Sequence, residues 1–122
     1  MSFALVIDDN RQTANALVEM IHMLGLEARA VLNPAAAMGL MANEVPQVVF
    51  LDLNMPGVDG FEVLSYIKRD PRLTRVPVIV ITSDDQPETA QRVLQNGGEV
   101  VLVKPIVPEQ LESALQKVGL PR

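Results

Sequence analysis

The chain has 122 residues, of which 48% are apolar and 20% are charged, a composition typical of one globular domain rather than of a disordered chain. Its net charge of −5 argues against direct nucleic-acid binding and against attraction to an anionic membrane face. It has no cysteine, which excludes disulfides, thiolate metal sites and a cysteine nucleophile, and no apolar run approaches the roughly 20 residues that span a bilayer.

The N-terminal sequence MSFALVIDDN has no positively charged start and becomes acidic after one short apolar run. It therefore lacks the features of a secretory signal peptide. We expect a cytoplasmic protein with no membrane partner.

Five short segments predict β-strands. Four are continuously apolar and rich in β-branched residues, which is typical of strands covered on both faces of a parallel sheet. The more polar second segment suits an edge strand. In chain order the predicted strands are Ala4–Ile7, Glu27–Val31, Val48–Leu51, Val78–Ile81 and Val100–Val103.

Helical patterns follow each predicted strand. The first has apolar residues at helical spacing from Ala14 to Leu24, with Asp9 or Asn10 as its cap and Gly25 at its end. The later helices are predicted from Pro34 to Asn43, from Gly60 to about Arg69, from Pro87 to Asn96, and onward from Pro108. Five strands alternating with five helices predict an α/β fold with a doubly wound parallel sheet and right-handed crossovers.

Polar side chains stand at the carboxyl ends of four predicted strands. Asp8 and Asp9 follow the first strand and Asp52 follows the third. Thr82 follows the fourth strand and Lys104 the fifth. Because ligands of open α/β sheets bind at this edge, we expect these five side chains to share one crevice.

Three carboxylates in one crevice repel one another and need more positive charge than Lys104 supplies. Oxygen ligands favour Mg²⁺, or Mn²⁺, over zinc, and Mg²⁺ with few protein ligands usually also binds water and phosphate oxygens. The pattern therefore indicates phosphoryl chemistry. We predict that Asp52 takes a phosphoryl group as an acyl phosphate, while Lys104 neutralises its charge and the Thr82 hydroxyl donates to one of its oxygens.

The chain resembles, over residues 1–122, the receiver domain of response regulators, the phosphoacceptor half of two-component signalling. Four motifs carry the resemblance, each at a strand end: VIDDN, LDLNMPGVDGFEVL, PVIVITS and VKPIVPEQL. The resemblance implies a flavodoxin-like five-stranded sheet of order 2-1-3-4-5. It also implies phosphorylation of Asp52 by a sensor histidine kinase or phosphotransfer protein, with Mg²⁺ bound by Asp8, Asp9, Asp52 and the backbone carbonyl of Asn54.

The same resemblance implies that Thr82 is a switch hydroxyl, that Lys104 pairs with the phosphoryl group, and that the Lys104–Pro105 peptide is cis. Asn54 and Asp84 resemble positions that tune acyl-phosphate hydrolysis. The domain would be a signalling module and not an enzyme. It would act in a phosphorelay by changing the binding of a downstream partner or a fused effector.

Two residues depart from the family pattern. Val101 replaces the usual aromatic residue three positions before Lys104, and Val107 replaces the usual aspartate cap of the fifth helix. Both lie on the face made by helix 4, strand 5 and helix 5, through which the resemblance implies a possible homodimer. The departures leave the phosphorylation motifs intact and change the output face.

Three other functions share parts of the pattern. Val101 adds weight to a receiver fold that binds partners without phosphorylation, but the intact acidic set argues against it, because a pure scaffold has no need to keep that buried charge. A hydrolase with an aspartyl-phosphate intermediate would need an acid where Asn54 stands, and a flavin-binding carrier would need a phosphate loop where Asp8 and Asp9 stand.

Overall fold

The computed structural model describes residues 2–120, so the ends of the predicted domain, residue 1 and residues 121–122, lie outside the described residues. Strands and helices alternate throughout this range. They are β1 (Ala4–Ile7), α1 (Arg11–Met23), β2 (Ala28–Val31), α2 (Pro34–Met41), β3 (Val48–Asp52), α3 (Gly60–Arg69), β4 (Val78–Thr82), α4 (Pro87–Gln95), β5 (Val100–Val103) and α5 (Pro108–Lys117).

The five strands form one parallel sheet in the order β2-β1-β3-β4-β5, which confirms the predicted fold class and strand order. Every residue of β1, β3 and β4 is buried, as their continuous apolar runs predict. The prediction that both faces are covered is wrong for β5, where Val101 and Val103 stay partly exposed because β5 forms an edge of the sheet.

Alternate residues of each strand point into two separate cores, one on each side of the sheet. On one side Leu5 and Leu51 pack with buried residues of α2, α3 and α4. On the other side Val6 and Phe50 pack with buried residues of α1 and α5. The helices therefore cover both faces and leave the loops after the strands to gather at the carboxyl edge of the sheet.

The helix ends follow capping chemistry where a suitable side chain is present. Asn10 caps α1 by accepting the Thr13 N–H at 3.1 Å, and Asn33 caps α2 by accepting the Ala36 N–H at 2.8 Å. Val107 has no side-chain oxygen to accept the first N–H groups of α5, and only the reverse bond is present, in which the Gln110 side chain accepts the Val107 N–H at 3.4 Å. The valine thus leaves α5 with a weaker first turn than an aspartate cap would give.

Candidate functional site

Asp8, Asp9 and Asp52 form an acidic cluster at the carboxyl edge of the sheet. Each offers one carboxylate oxygen, and these three oxygens all lie within 4.8 Å of one another. The cluster forms because β1 and β3 are neighbours in register, so Asp8 follows Ile7 beside Asp52, which follows Leu51. Asp8 and Asp52 are only 5% and 3% exposed, whereas Asp9 is exposed.

The Asp52 carboxylate is held at both of its oxygens. Its Oδ1 accepts the backbone N–H of Asn54 at 2.7 Å, and its Oδ2 accepts from the Lys104 ammonium at 3.1 Å. Burial raises the pKa of Asp52, and the negative charge of Asp8 adds to this, although the hydrogen bonds from Asn54 and Lys104 oppose it. The protein's own groups therefore leave negative charge on Asp52 incompletely compensated.

Asp8 is fixed by the first turn of α1. Its Oδ1 accepts the Asn10 N–H at 2.9 Å and its Oδ2 accepts the Thr13 hydroxyl at 2.7 Å. Thr13 is a site residue that the sequence patterns missed. Its position five residues after Asp8, in the first turn of the helix that follows β1, could have indicated it, because that turn packs over the acid.

The cluster could bind a metal, and its donor set fits a hard divalent cation. All three side chains offer oxygen, two of them are buried, and Lys104 is the cation that contacts the cluster. Carboxylate oxygens are the donors that Mg²⁺ and Mn²⁺ prefer, and the excess negative charge favours a divalent ion over a monovalent one.

Thr82 and Lys104 lie at the same edge as the acids. Thr82 ends β4 with 1% exposure, and its backbone carbonyl accepts the Lys104 N–H at 2.8 Å. This bond aligns the ends of β4 and β5, so that the Lys104 side chain reaches Asp52. The Lys104–Pro105 peptide is cis, as the resemblance implies. The structure thus brings all five side chains of the predicted crevice to one edge.

Asn54 and Asp84 lie in the loops beside the acids. The Asn54 side-chain oxygen accepts the Ser83 N–H at 2.7 Å, which joins the loop after β3 to the loop after β4. The Asp84 N–H donates to the Thr82 hydroxyl oxygen at 3.1 Å. Val101, in contrast, is partly buried against the core on the α2–α4 side of the sheet and supplies no polar contact to this network.

A groove of about 460 Å³ opens beside the acidic cluster. Asp8 and Lys104 are among its lining residues, and Leu17, Met20 and Ile106 make its walls largely apolar. It runs between α1 and the segment that follows β5.

A parallel sheet of order 2-1-3-4-5 with its polar crevice where β1 and β3 end defines a flavodoxin-like domain, whose ligands bind at that switch point. The family model of the response regulator receiver domain matches residues 4–116. The chain belongs to this family, the signalling domain of two-component systems, as the sequence motifs predicted.

Individual relatives agree with this assignment. The chain is 31% identical to the probable methanogenesis regulatory protein FilR2 of Methanothrix harundinacea, over 93% of this chain and 79% of the relative. It is 28% identical to the polar-differentiation response regulator DivK of Brucella anthropi, over 94% of each chain. Chemotaxis protein CheY4 of Vibrio cholerae superposes with a TM-score of 0.89 at 26% identity, covering 97% of this chain and 98% of CheY4.

None of the helices in residues 2–120 combines the length and the apolar character that crossing a bilayer requires.

Proposed function

We propose that this chain, over residues 1–122, is a single receiver domain whose Asp52 accepts a phosphoryl group in a Mg²⁺-dependent reaction. The phosphoryl donor is a phosphohistidine of a sensor histidine kinase or phosphotransfer protein. Phosphorylation then changes the affinity of the domain for a downstream partner or a fused effector. The observation that carries this proposal is the buried Asp52 carboxylate, which contacts Lys104 at 3.1 Å and lies within 4.8 Å of two further carboxylates.

The reaction is a direct transfer. A lone pair on an Asp52 carboxylate oxygen attacks phosphorus, and the new O–P bond forms as the P–N bond to the donor histidine breaks. The electron pair of the broken bond stays on the imidazole nitrogen. The chain promotes only its own phosphorylation and dephosphorylation, so it acts as a signalling module and not as an enzyme that turns over a separate substrate.

The side chains around Asp52 stabilise the charge of the transferred phosphoryl group. Lys104 faces the negative charge of the transferred group, and the Thr82 hydroxyl donates to one of its oxygens. Asp8, Asp9 and Asp52, with the backbone carbonyl of Asn54, would hold Mg²⁺ or Mn²⁺. When bound, the cation supplies positive charge that neutralises the phosphoryl oxygens and removes the repulsion among the acids.

The groove beside α1 provides an approach for the donor. Its apolar walls suit a packed protein surface, and its lining includes Asp8 and Lys104. A separate face at the β5 edge of the sheet, formed by α4, β5 and α5, is the proposed surface for a downstream partner or a homodimer. Leu94 and Val107 are 55% and 42% exposed there, which leaves apolar surface for such a contact.

Acetyl phosphate with Mg²⁺ tests the acceptor chemistry without requiring the unidentified kinase. Intact mass spectrometry should detect the gain of one phosphoryl group by the wild type and no gain by Asp52→Asn. Glu112→Gln, which removes one exposed acid on α5, is the matched control and should be modified like the wild type. Modification of Asp52→Asn to the wild-type extent would contradict the assignment of Asp52.

A further inference from the structure

Hydrogen bonds connect Asp52 to the loop that follows β4. The Asn54 backbone donates to Asp52 Oδ1 and the Asn54 side chain accepts the Ser83 N–H, each at 2.7 Å. Asn54 therefore holds the residue next to Thr82 at a fixed distance from the acceptor carboxylate. Asn54 contacts only the start of this loop, and a different side chain contacts its end, next to α4.

Asp84 and Thr89 hold that end of the loop. Asp84 Oδ1 accepts the Gln86 N–H at 2.9 Å, and its Oδ2 accepts the Thr89 hydroxyl at 2.5 Å. The hydrogen bond from Thr89 is the main cause that lowers the pKa of Asp84, and the bond from Gln86 contributes next. Gln86, the cap residue of α4, makes no side-chain cap bond, so Asp84 and Thr89 tie the loop to the first turn of the helix.

The same aspartate is bonded to the Thr82 hydroxyl through its backbone. The Asp84 N–H donates to Thr82 Oγ1 at 3.1 Å, within a site where Thr82 is 1% exposed. Because this bond occupies a lone pair of the hydroxyl, its proton is left to donate to another acceptor. A shift of Asp84 would remove the bond and let the Thr82 hydroxyl rotate.

We propose that Thr89 is a positioning residue for Thr82. The Thr89 hydroxyl holds the Asp84 carboxylate, and the Asp84 backbone thereby orients the Thr82 hydroxyl toward the phosphoryl group on Asp52. This inference rests on the proposed function. It also gives α4 a direct connection to the site in a chain whose Val101 provides no polar contact there.

Thr89→Val removes the hydroxyl with little change of shape, and Thr89→Ser restores it. The matched control is Thr74→Val, which removes a threonine hydroxyl bonded to the Lys68 carbonyl at 2.7 Å, in the segment before β4. The measurement is the initial rate of phosphoryl incorporation by intact mass spectrometry, as a function of acetyl phosphate concentration at saturating Mg²⁺. A thermal melt of each variant checks that it is folded.

We expect Thr89→Val to lower the maximal rate by roughly three- to tenfold, less than the ~10²-fold typical of deleting a donor outright. The half-saturating acetyl phosphate concentration should stay unchanged. Thr89→Ser should return the maximal rate to the wild-type value, and the control Thr74→Val should have the wild-type rate. Asp84→Ala removes the acceptor of the Thr89 hydroxyl and also the bond from the Gln86 N–H, so it should lose at least as much rate, and it serves if Thr89→Val does not fold.

The inference is overturned if the wild type is phosphorylated and Thr89→Val reacts at the same rate. It is equally overturned if Thr89→Ser is as slow as the valine variant, or if Thr74→Val slows to the same extent, since a general loss of stability would then explain the rates. A wild type that gains no phosphoryl group would instead contradict the proposed function itself.

Discussion

Replacing Asp52 with asparagine should make the metal-free protein more stable at neutral pH. Asp52 contributes one of three carboxylates whose oxygens lie within 4.8 Å of one another, and it is 3% exposed. Asparagine keeps a side-chain oxygen for the Asn54 N–H while removing the charge. The substitution thus separates the electrostatic cost of the cluster from the hydrogen bond that holds its loop.

The distances give the size of this effect. Two carboxylates 4.8 Å apart repel by about 3.5 kcal/mol at an effective dielectric constant of about 20. Asp52 takes part in two such pairs, one with buried Asp8 and one with exposed Asp9, whose repulsion solvent reduces. Lys104 at 3.1 Å attracts it by about 5 kcal/mol on the same scale, a value reduced by the 31% exposure of the lysine. The two repulsions and the burial of Asp52 outweigh this attraction, so we expect Asp52→Asn to stabilise by about 1–2 kcal/mol.

Urea unfolding followed by circular dichroism, with and without Mg²⁺, measures both parts of this prediction. Mg²⁺ at 100 times its dissociation constant should stabilise the wild type by about 2.7 kcal/mol, and should stabilise Asp52→Asn by less than half as much. Glu112→Gln, with the same change in net charge, should behave as the wild type. A metal-free Asp52→Asn less stable than the wild type, or an undiminished response to Mg²⁺, would refute the electrostatic reasoning.

Two further predictions concern the scaffold. At Gly98 an added Cβ would meet Val93 Cγ1 and lie 3.2 Å from the Val93 carbonyl oxygen, so Gly98→Ala should lower the free energy of unfolding by about 1–3 kcal/mol. Gly39 lies in α2, and an added Cβ there would have no atom within 4 Å, so Gly39→Ala should raise the free energy of unfolding by about 0.5–1 kcal/mol. Urea unfolding measures both variants, and the same change in the two would contradict this contrast. Burial lowers the pKa of Lys68 below its usual 10.5, although Glu99 opposes this. The unfolded chain therefore binds more protons between the lowered pKa and pH 10.5, and stability should rise with pH across that window. Lys68→Met should abolish the rise, and an equal rise in the variant would show that other groups cause it.

Most of the fold follows from the sequence because a sheet buried on both faces leaves a simple pattern. The run that forms β1 is apolar throughout, and those of β3 and β4 are apolar up to their last residues, Asp52 and Thr82, as expected for strands between two layers of helices. The convergence of Asp8, Asp52 and Lys104 also follows, because parallel strands place their carboxyl ends at one edge. The hydrogen bonding between β3 and β4 extends each strand one residue beyond its predicted end, since the Leu53 N–H donates to the Ile81 carbonyl at 2.8 Å.

Other features depend on contacts that a linear pattern does not record. The exposure of Val101 reflects the position of β5 at the sheet edge, which its apolar sequence does not indicate. The helix predicted to reach Asn43 ends at Met41. The Asn43 N–H donates to the carbonyl of Leu40, three residues before it, at 3.2 Å, and not to the carbonyl four residues before it, as in an α-helix. The bond between Asp84 and Thr89 requires the conformation of the loop between them, so only the structure reveals it.

The most direct test of the account is a crystal structure of the protein with Mg²⁺ and beryllofluoride, a mimic of the phosphoryl group. We predict that beryllofluoride binds an Asp52 carboxylate oxygen, with Lys104 and the Thr82 hydroxyl donating to its fluorines. We also predict that Mg²⁺ is bound by Asp8, Asp9 and Asp52 together with the Asn54 carbonyl. Beryllofluoride bound away from Asp52, or Mg²⁺ bound away from the acidic cluster, would contradict the account.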